Sequence, residues 1–213
     1  MIDTLIFGGT FDPVHCGHVT LAESILGVLE KDAQIVFVPN KEPPHRGLPL
    51  ASSRERTDML NLALQGRPNF CVDDIEVKKA GVSYSIQTLE SYRKMYGQNF
   101  SLNFIVGLDA WQSFGGWYQS DQIARHSNLI VYSRPGQYTF DNLSGRTFGF
   151  QFKEKITELS DFNRGCLFYL SLKMLRISSS AVRMEDIRKD DLSSIVNADV
   201  AEYIAQHQLY SWL

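Results

Sequence analysis

The sequence predicts an α/β fold built on a doubly wound parallel sheet, and three observations predict it. Short apolar runs alternate along the chain with segments whose apolar residues recur at helical spacing, the pattern of βαβ units joined by right-handed crossovers. The 213 residues, 44% hydrophobic and 21% charged, suffice for one α/β domain with a substantial core. A turn rich in glycine and histidine follows directly on the first apolar run. In open α/β sheets that junction is where phosphate-bearing ligands bind.

Taken in order, Ile2–Phe7 reads as a buried strand. Residues 17–31 read as a helix with Leu21, Ile25, Val28 and Leu29 on one face. Ala33–Val38 is a second strand, ended by Pro39. The prolines at 43, 44 and 49 make residues 40–49 a loop. Ser52 or Ser53 caps a helix running to Leu64, which Gly66 and Pro68 stop. A short strand over 70–73, a helix over 84–96 and a strand over 101–106 follow. A short helix is expected over 117–124 and a strand over 128–132. Residues 136–152 are polar and give no assignment. The last strand is Leu167–Leu170, and helices are expected over 178–188 and 199–206. No repeat or linker divides the chain. It reads as a single domain over 1–213, with an insertion near 137–165 and a C-terminal helical portion over 178–213.

The formal net charge of −3 excludes a broadly basic surface for nucleic acid or membrane, so any anion site must be local. Three scattered cysteines without a CxxC pair fit a reduced cytoplasmic chain and neither a disulfide scaffold nor a zinc ribbon. Residues 2–7 are too short for a signal-peptide core, and no stretch approaches the length of a membrane span.

Residues 8–18 read Gly-Gly-Thr-Phe-Asp-Pro-Val-His-Cys-Gly-His. A strand-to-helix turn directs backbone N–H groups outward, and the helix dipole favours an anion there. Gly8 and Gly9 allow phosphates close to the backbone, Thr10 can donate, and His15 and His18 can reach one side together. As metal ligands the two histidines have only Asp12 nearby, so a zinc site is the weaker reading. A second segment, Ile177-Ser178-Ser179-Ser180-Ala181-Val182-Arg183, follows the last strand. Its serines can simply cap a helix. Arg183, however, is expected in the first turn, where the dipole disfavours a cation, and a bound anion would resolve that conflict.

Together these segments resemble the HxGH and ISSTxxR signatures of a nucleotidyltransferase superfamily. More closely, the chain resembles the bacterial nicotinate-nucleotide adenylyltransferases. Pro39-Asn40 with Pro43-Pro44-His45-Arg46 is similar to that family's PNxxPPHK/R segment. Ser83-Tyr84-Ser85 with Gln87-Thr88-Leu89 is similar to SYTxxTL. Gly107, Asp109, Phe114, Trp117 and Tyr118 are similar to GxDxxxxFxxWY. Ser133-Arg134-Pro135-Gly136 is similar to its RPG turn, and Tyr203-Ile204 and Leu209-Tyr210 to its C-terminal end. Ser180, Val182 and Ser85 stand where Thr, Ile or Leu, and Thr are common. Each substitution keeps hydroxyl for hydroxyl or aliphatic for aliphatic. The phosphopantetheine adenylyltransferases share the superfamily signature but have Thr at the place of His15 and lack the PPHR and FxxWY segments.

The resemblance implies a Rossmann-like fold and transfer of AMP from ATP to nicotinate mononucleotide, with release of pyrophosphate. It implies that His18, His15 and Arg183 act on the reacting phosphates. Gly8, Gly9, Thr10, Phe11, Gly107, Asp109, Ser178 and Ser180 complete an ATP site. Thr10, Asn40, His45, Arg46, Ser85, Trp117, Tyr118 and Arg134 would meet the mononucleotide, with Trp117 stacking on the pyridine. For Asp109, helix capping is the alternative role; for Trp117, it is packing in the core. For His45, Arg46 and Arg134 the alternative is a solvated loop charge. No acidic cluster is apparent for a protein-held metal, so Mg²⁺ would arrive with ATP. Activity on nicotinamide mononucleotide, or a non-catalytic nucleotide-binding module on the same fold, are the competing functions. A homo-oligomer stays open.

Overall fold

The structure, a computed structural model, describes residues 3–29, 32–43, 47–133, 147–173, 175, 177–183, 192 and 195–210. Its strands are β1 (Asp3–Gly9), β2 (Ala33–Pro39), β3 (Phe70–Val72), β4 (Leu102–Gly107), β5 (Asn128–Ser133), β6 (Gln151–Lys153) and β7 (Cys166–Ser171). They form one sheet in the order β3-β2-β1-β4-β5-β7-β6, with every neighbouring pair parallel. The helices are α1 (Cys16–Leu29), α2 (Ser53–Leu64), α3 (Ser85–Tyr96), α4 (Leu108–Gln112), α5 (Ser179–Arg183) and α6 (Ala198–Gln206).

Alternation along the central strands explains the layers. Leu5 and Phe7 of β1 pack with Ile35 and Phe37 of β2 against Ile25 of α1, Met59 of α2 and Ile204 of α6. The intervening Ile6 and Val36 point to the other face, where Ile86 and Leu89 of α3 and Trp111 of α4 cover them. Strands buried on both faces read as continuous apolar runs, which is why β1, β2, β4 and β5 were legible. The strand order reverses between β1 and β4. Their last residues, Gly9 and Gly107, flank the crevice where such sheets bind ligands.

The elements depart from expectation in three places. The helix expected over 117–124 is instead a 3₁₀ turn, Ser120–Arg125, and two short elements that were not expected precede it, α4 and the 3₁₀ turn Phe114–Gly116. Gln119 sits in the left-handed region at φ 51°, so one continuous helix from Trp117 cannot form. Strand β6 ends the segment that gave no assignment; at three residues it is too short to show periodicity. Of the helix expected over 178–188, Ser179–Arg183 is described and 184–188 lies outside the described residues. Within the expected insertion, 137–146 also lies outside them, while 147–165 contributes β6 and a 3₁₀ turn, Ile156–Asp161.

Candidate active site

A cleft of about 1190 Å³ opens at the ends of β1 and β4. Single small-molecule pockets typically span about 300–1,000 Å³, so this one is larger than most. Its walls include Gly8, Gly9, Thr10, Phe11, His15 and His18 from the first signature and Ser178, Ser180 and Arg183 from the second. Asn40, Ser85, Gly107, Asp109, Trp117 and Tyr118 complete them. Segments up to 175 residues apart in sequence thus meet in one cavity. His45, Arg46 and Arg134, also expected there, lie outside the described residues.

The first signature is held tightly. Phe11 takes φ 50° and lays its ring over Gly9, where a Cβ would come within 2.8 Å of it. Close packing of this ring requires Gly9. At Gly8 a Cβ would meet only the Phe104 ring, at 3.5 Å, an ordinary contact. The imidazoles of His15 and His18 stack with centroids 3.8 Å apart and planes at 23°. Burial depresses the pKa of His15 to about 4. The same cause, with the neighbouring His15, puts His18 well below the ordinary histidine value. Both are therefore neutral near pH 7 in the ligand-free protein. His18 Nδ1 accepts the His15 backbone N–H at 3.3 Å, so its proton resides on Nε2, as a donor. Parallel stacked rings do not converge on a point. The Asp12 carboxylate accepts from the backbone N–H groups of Leu50 and Ala51 and from the Tyr210 hydroxyl. Among the described residues, no three His, Cys, Asp or Glu side chains gather closely enough to hold a metal ion.

The second signature closes against the first. Ser179 Oγ donates to the Pro13 carbonyl at 3.0 Å, and Arg183 Nη1 to the Asp12 carbonyl at 2.6 Å. Ser178 Oγ accepts the Ala181 N–H at 3.1 Å and so caps α5, while Ser180 Oγ accepts from Arg183 Nη2 at 3.2 Å. The expected place of Arg183 is corrected: it stands four residues after Ser179 in α5, beyond the first turn. The dipole conflict is absent, and what aims its guanidinium at the cleft is the Asp12 carbonyl together with the Asp12 carboxylate at 3.8 Å.

On the other side, Asp109 is exposed in the first turn of α4, whose cap is Gly107 and carries no side-chain bond. The capping role for Asp109 is set aside. A Cβ on Gly107 would lie 2.6 Å from Asp109 Oδ1, so glycine there leaves the carboxylate its place. Trp117 is half-buried: it rests on Phe104 and Phe114, with centroids 6.3 and 5.1 Å away, and also lines the cleft. Core packing and a cleft-facing surface are both present in this one side chain. Tyr118 leans on Tyr84, and Ser85 opens α3, whose cap at Tyr84 likewise has no side-chain bond. Asn40 Nδ2 donates to Thr10 Oγ1 at 3.1 Å.

Sequence reasoning missed the groups that hold these residues. Asp12, within the first signature, and Arg56, behind it, are 3% and 1% exposed. Tyr210, from the C-terminal end, donates to Asp12 Oδ1 at 2.9 Å. Glu76 is buried on the cleft wall with its pKa raised by that burial, and it accepts from Thr88 Oγ1 at 2.5 Å. Charged residues in helices and loops usually mark solvated faces, so the one hint of burial was that Arg56 falls at helical spacing with Met59, Leu60 and Ala63 on the apolar face of α2.

A parallel sheet with two anion-directed segments at its switch point defines a nucleotidyl-transfer class of protein. The cytidylyltransferase-like family model matches residues 6–185. A protein of Coxiella burnetii named as a probable nicotinate-nucleotide adenylyltransferase is 34% identical over 96% of both chains. One of Marinomonas, named likewise, is 35% identical over 96% of this chain and 93% of its own. In fold, the chain is similar to Plasmodium falciparum nicotinic acid mononucleotide adenylyltransferase complexed with NaAD. That match has a TM-score of 0.75 at 15% identity and covers 100% and 99% of the two chains. The chain belongs to the nicotinate-nucleotide adenylyltransferase family.

Proposed function

We propose that this protein transfers AMP from ATP to nicotinate mononucleotide, forming nicotinate adenine dinucleotide and pyrophosphate in NAD biosynthesis. The observation that carries the reading is the single cleft in which His18 and Arg183 meet Trp117, Ser85 and Asn40. One group of residues suits a triphosphate and the other a pyridine mononucleotide.

In the reaction a phosphate oxygen of the mononucleotide attacks the α-phosphorus of ATP. The new P–O bond forms as the bond to the β-phosphate bridging oxygen breaks, and pyrophosphate leaves with the electron pair. A phosphate is already ionised at neutral pH, so the step needs no general base. The protein contributes position and charge stabilisation. His18 donates Nε2–H to the α-phosphoryl oxygens as charge moves toward the leaving group. Arrival of the triphosphate raises the proton affinity of the stacked pair, and one proton is shared at most, since the rings are 3.8 Å apart. Ser178, Ser180 and Arg183 hold the β- and γ-phosphates. Gly107 and Asp109 take the adenosine ribose, whose vicinal hydroxyls suit a carboxylate.

The pyridine stacks on Trp117, and its carboxylate meets Ser85 and the Tyr118 backbone at the start of α3, where the helix dipole favours an anion. His45, Arg46 and Arg134 serve the mononucleotide phosphate. A protein-bound Mg²⁺ does not fit the donors present: the Asp12 oxygens are already engaged by Leu50, Ala51 and Tyr210. Mg²⁺ travels with ATP. Among the described residues no helix is long and apolar enough to cross a membrane; the reading assigns the reaction to the cytoplasm.

The test is to incubate the purified protein with ATP, Mg²⁺ and nicotinate mononucleotide. Pyrophosphate and dinucleotide are expected in equal amounts. Turnover of phosphopantetheine in place of the mononucleotide, or of neither acceptor, would contradict the proposal.

A further inference from the structure

Arg56 is a buried cation whose partners are almost all backbone. Its Nε donates to the Ala51 carbonyl at 3.2 Å, Nη2 to the Lys41 carbonyl at 3.2 Å and Nη1 to the Thr10 carbonyl at 2.7 Å. Nη1 also reaches Asn40 Oδ1 at 3.4 Å. A guanidinium has donors only, so the Asn40 amide must turn its oxygen toward Arg56; the reverse orientation would set NH₂ against N–H. With Oδ1 so fixed, Nδ2 faces Thr10 Oγ1 at 3.1 Å. Thr10 Oγ1 therefore accepts from Asn40, and its one proton must point elsewhere. Among the described residues it has no acceptor, and the half-buried side chain borders the cleft.

We infer that Arg56, acting through Asn40, is a positioning residue that fixes the direction of hydrogen bonding so that Thr10 presents its hydroxyl proton to the mononucleotide phosphate. The inference rests on the function proposed above. Its physical basis is that a hydroxyl can donate or accept, whereas a phosphate oxygen only accepts. A Thr10 proton spent within the protein would leave lone pairs facing the anion.

Asn40→Asp reverses the chain without removing it. The new carboxylate accepts from Arg56 and also from Thr10, so the Thr10 proton turns inward, while the new ion pair supports the fold. The readout is kcat/KM for nicotinate mononucleotide at saturating ATP, measured for the wild type, Asn40→Asp, Thr10→Ala and the double variant. Hydrogen bonds to charged groups are worth enough that Asn40→Asp should lower kcat/KM by about 10- to 100-fold when Thr10 is present. The loss should fall mainly in KM. In the Thr10→Ala background the same substitution should cost at most about threefold, because no hydroxyl remains to turn. A loss at least fivefold larger with Thr10 than with Ala at that position supports the inference. Any smaller difference overturns it and assigns the effect to charge repulsion alone. A wild type without turnover would contradict the functional reading instead. The cycle is then read from the calorimetric Kd of the mononucleotide, by the same fivefold criterion.

Discussion

At the scale of single residues the account turns on the stacked histidines. His18→Ala removes the Nε2–H donor, and loss of one such donor typically lowers kcat by about 10²–10³-fold. KM for ATP should move by less than about fivefold, since Arg183 and the serines still hold the β- and γ-phosphates. Steady-state kinetics with both substrates varied separates the two, and an unchanged kcat would remove His18 from the mechanism. His15 gives a prediction about stability. It is 6% exposed, and burial takes its pKa to about 4. The folded protein therefore holds fewer protons than the unfolded chain at acid pH, and stability is lost as pH falls from about 6.5 toward 4. Between about pH 7.5 and pH 5 the loss from this one group comes to about 2 kcal/mol, with His18 adding to it in the same direction. His15→Asn should flatten that part of the curve when thermal unfolding is followed across the range.

At the scale of elements, the helices that present the site are fixed by local chemistry. Helix α2 starts with a full capping box: Glu55 N–H donates to Ser52 Oγ at 3.2 Å, and Ser52 N–H donates to Glu55 Oε2 at 2.7 Å. Ser52→Ala should cost about 1 kcal/mol, lowering Tm by about 2–4 °C in a chain of this size. The effect extends past the helix end, because the same first turn carries Arg56 toward Thr10 and Asn40. A Tm unaffected by Ser52→Ala would contradict that role for the cap. The described part of helix α5, Ser179–Arg183, is docked on the first signature. It is held by Ser179 on Pro13, by Arg183 on Asp12 and by Val182, which is fully buried. The two signatures therefore stabilise each other before any nucleotide arrives.

At the scale of the whole molecule, the sheet was legible because its central strands are buried on both faces and stand out as apolar runs. The signatures were legible because glycines, hydroxyls and histidines at strand-to-helix turns have few structural reasons to cluster. What stayed hidden shares a common cause. Strand β6 has three residues and no period to read. The break at Gln119 depends on a left-handed backbone that composition does not announce. Asp12 and Tyr210 meet across a separation of 198 residues and Arg56 reaches Thr10 across 46, partnerships that no local pattern announces. The place of Arg183 was misjudged for a related reason: a helix dipole can be argued from sequence, but the Asp12 carbonyl that aims the guanidinium comes from the far end of the chain.

The central claim is that one cleft holds the triphosphate between the two signatures and the pyridine on Trp117. A crystal structure with the dinucleotide product bound tests it most directly. The account predicts the linked phosphates beside His18, the adenosine ribose on Asp109, and the pyridine ring stacked on Trp117 with its carboxylate at the start of α3. A pyridine bound away from Trp117, or phosphates out of reach of His18, would contradict it.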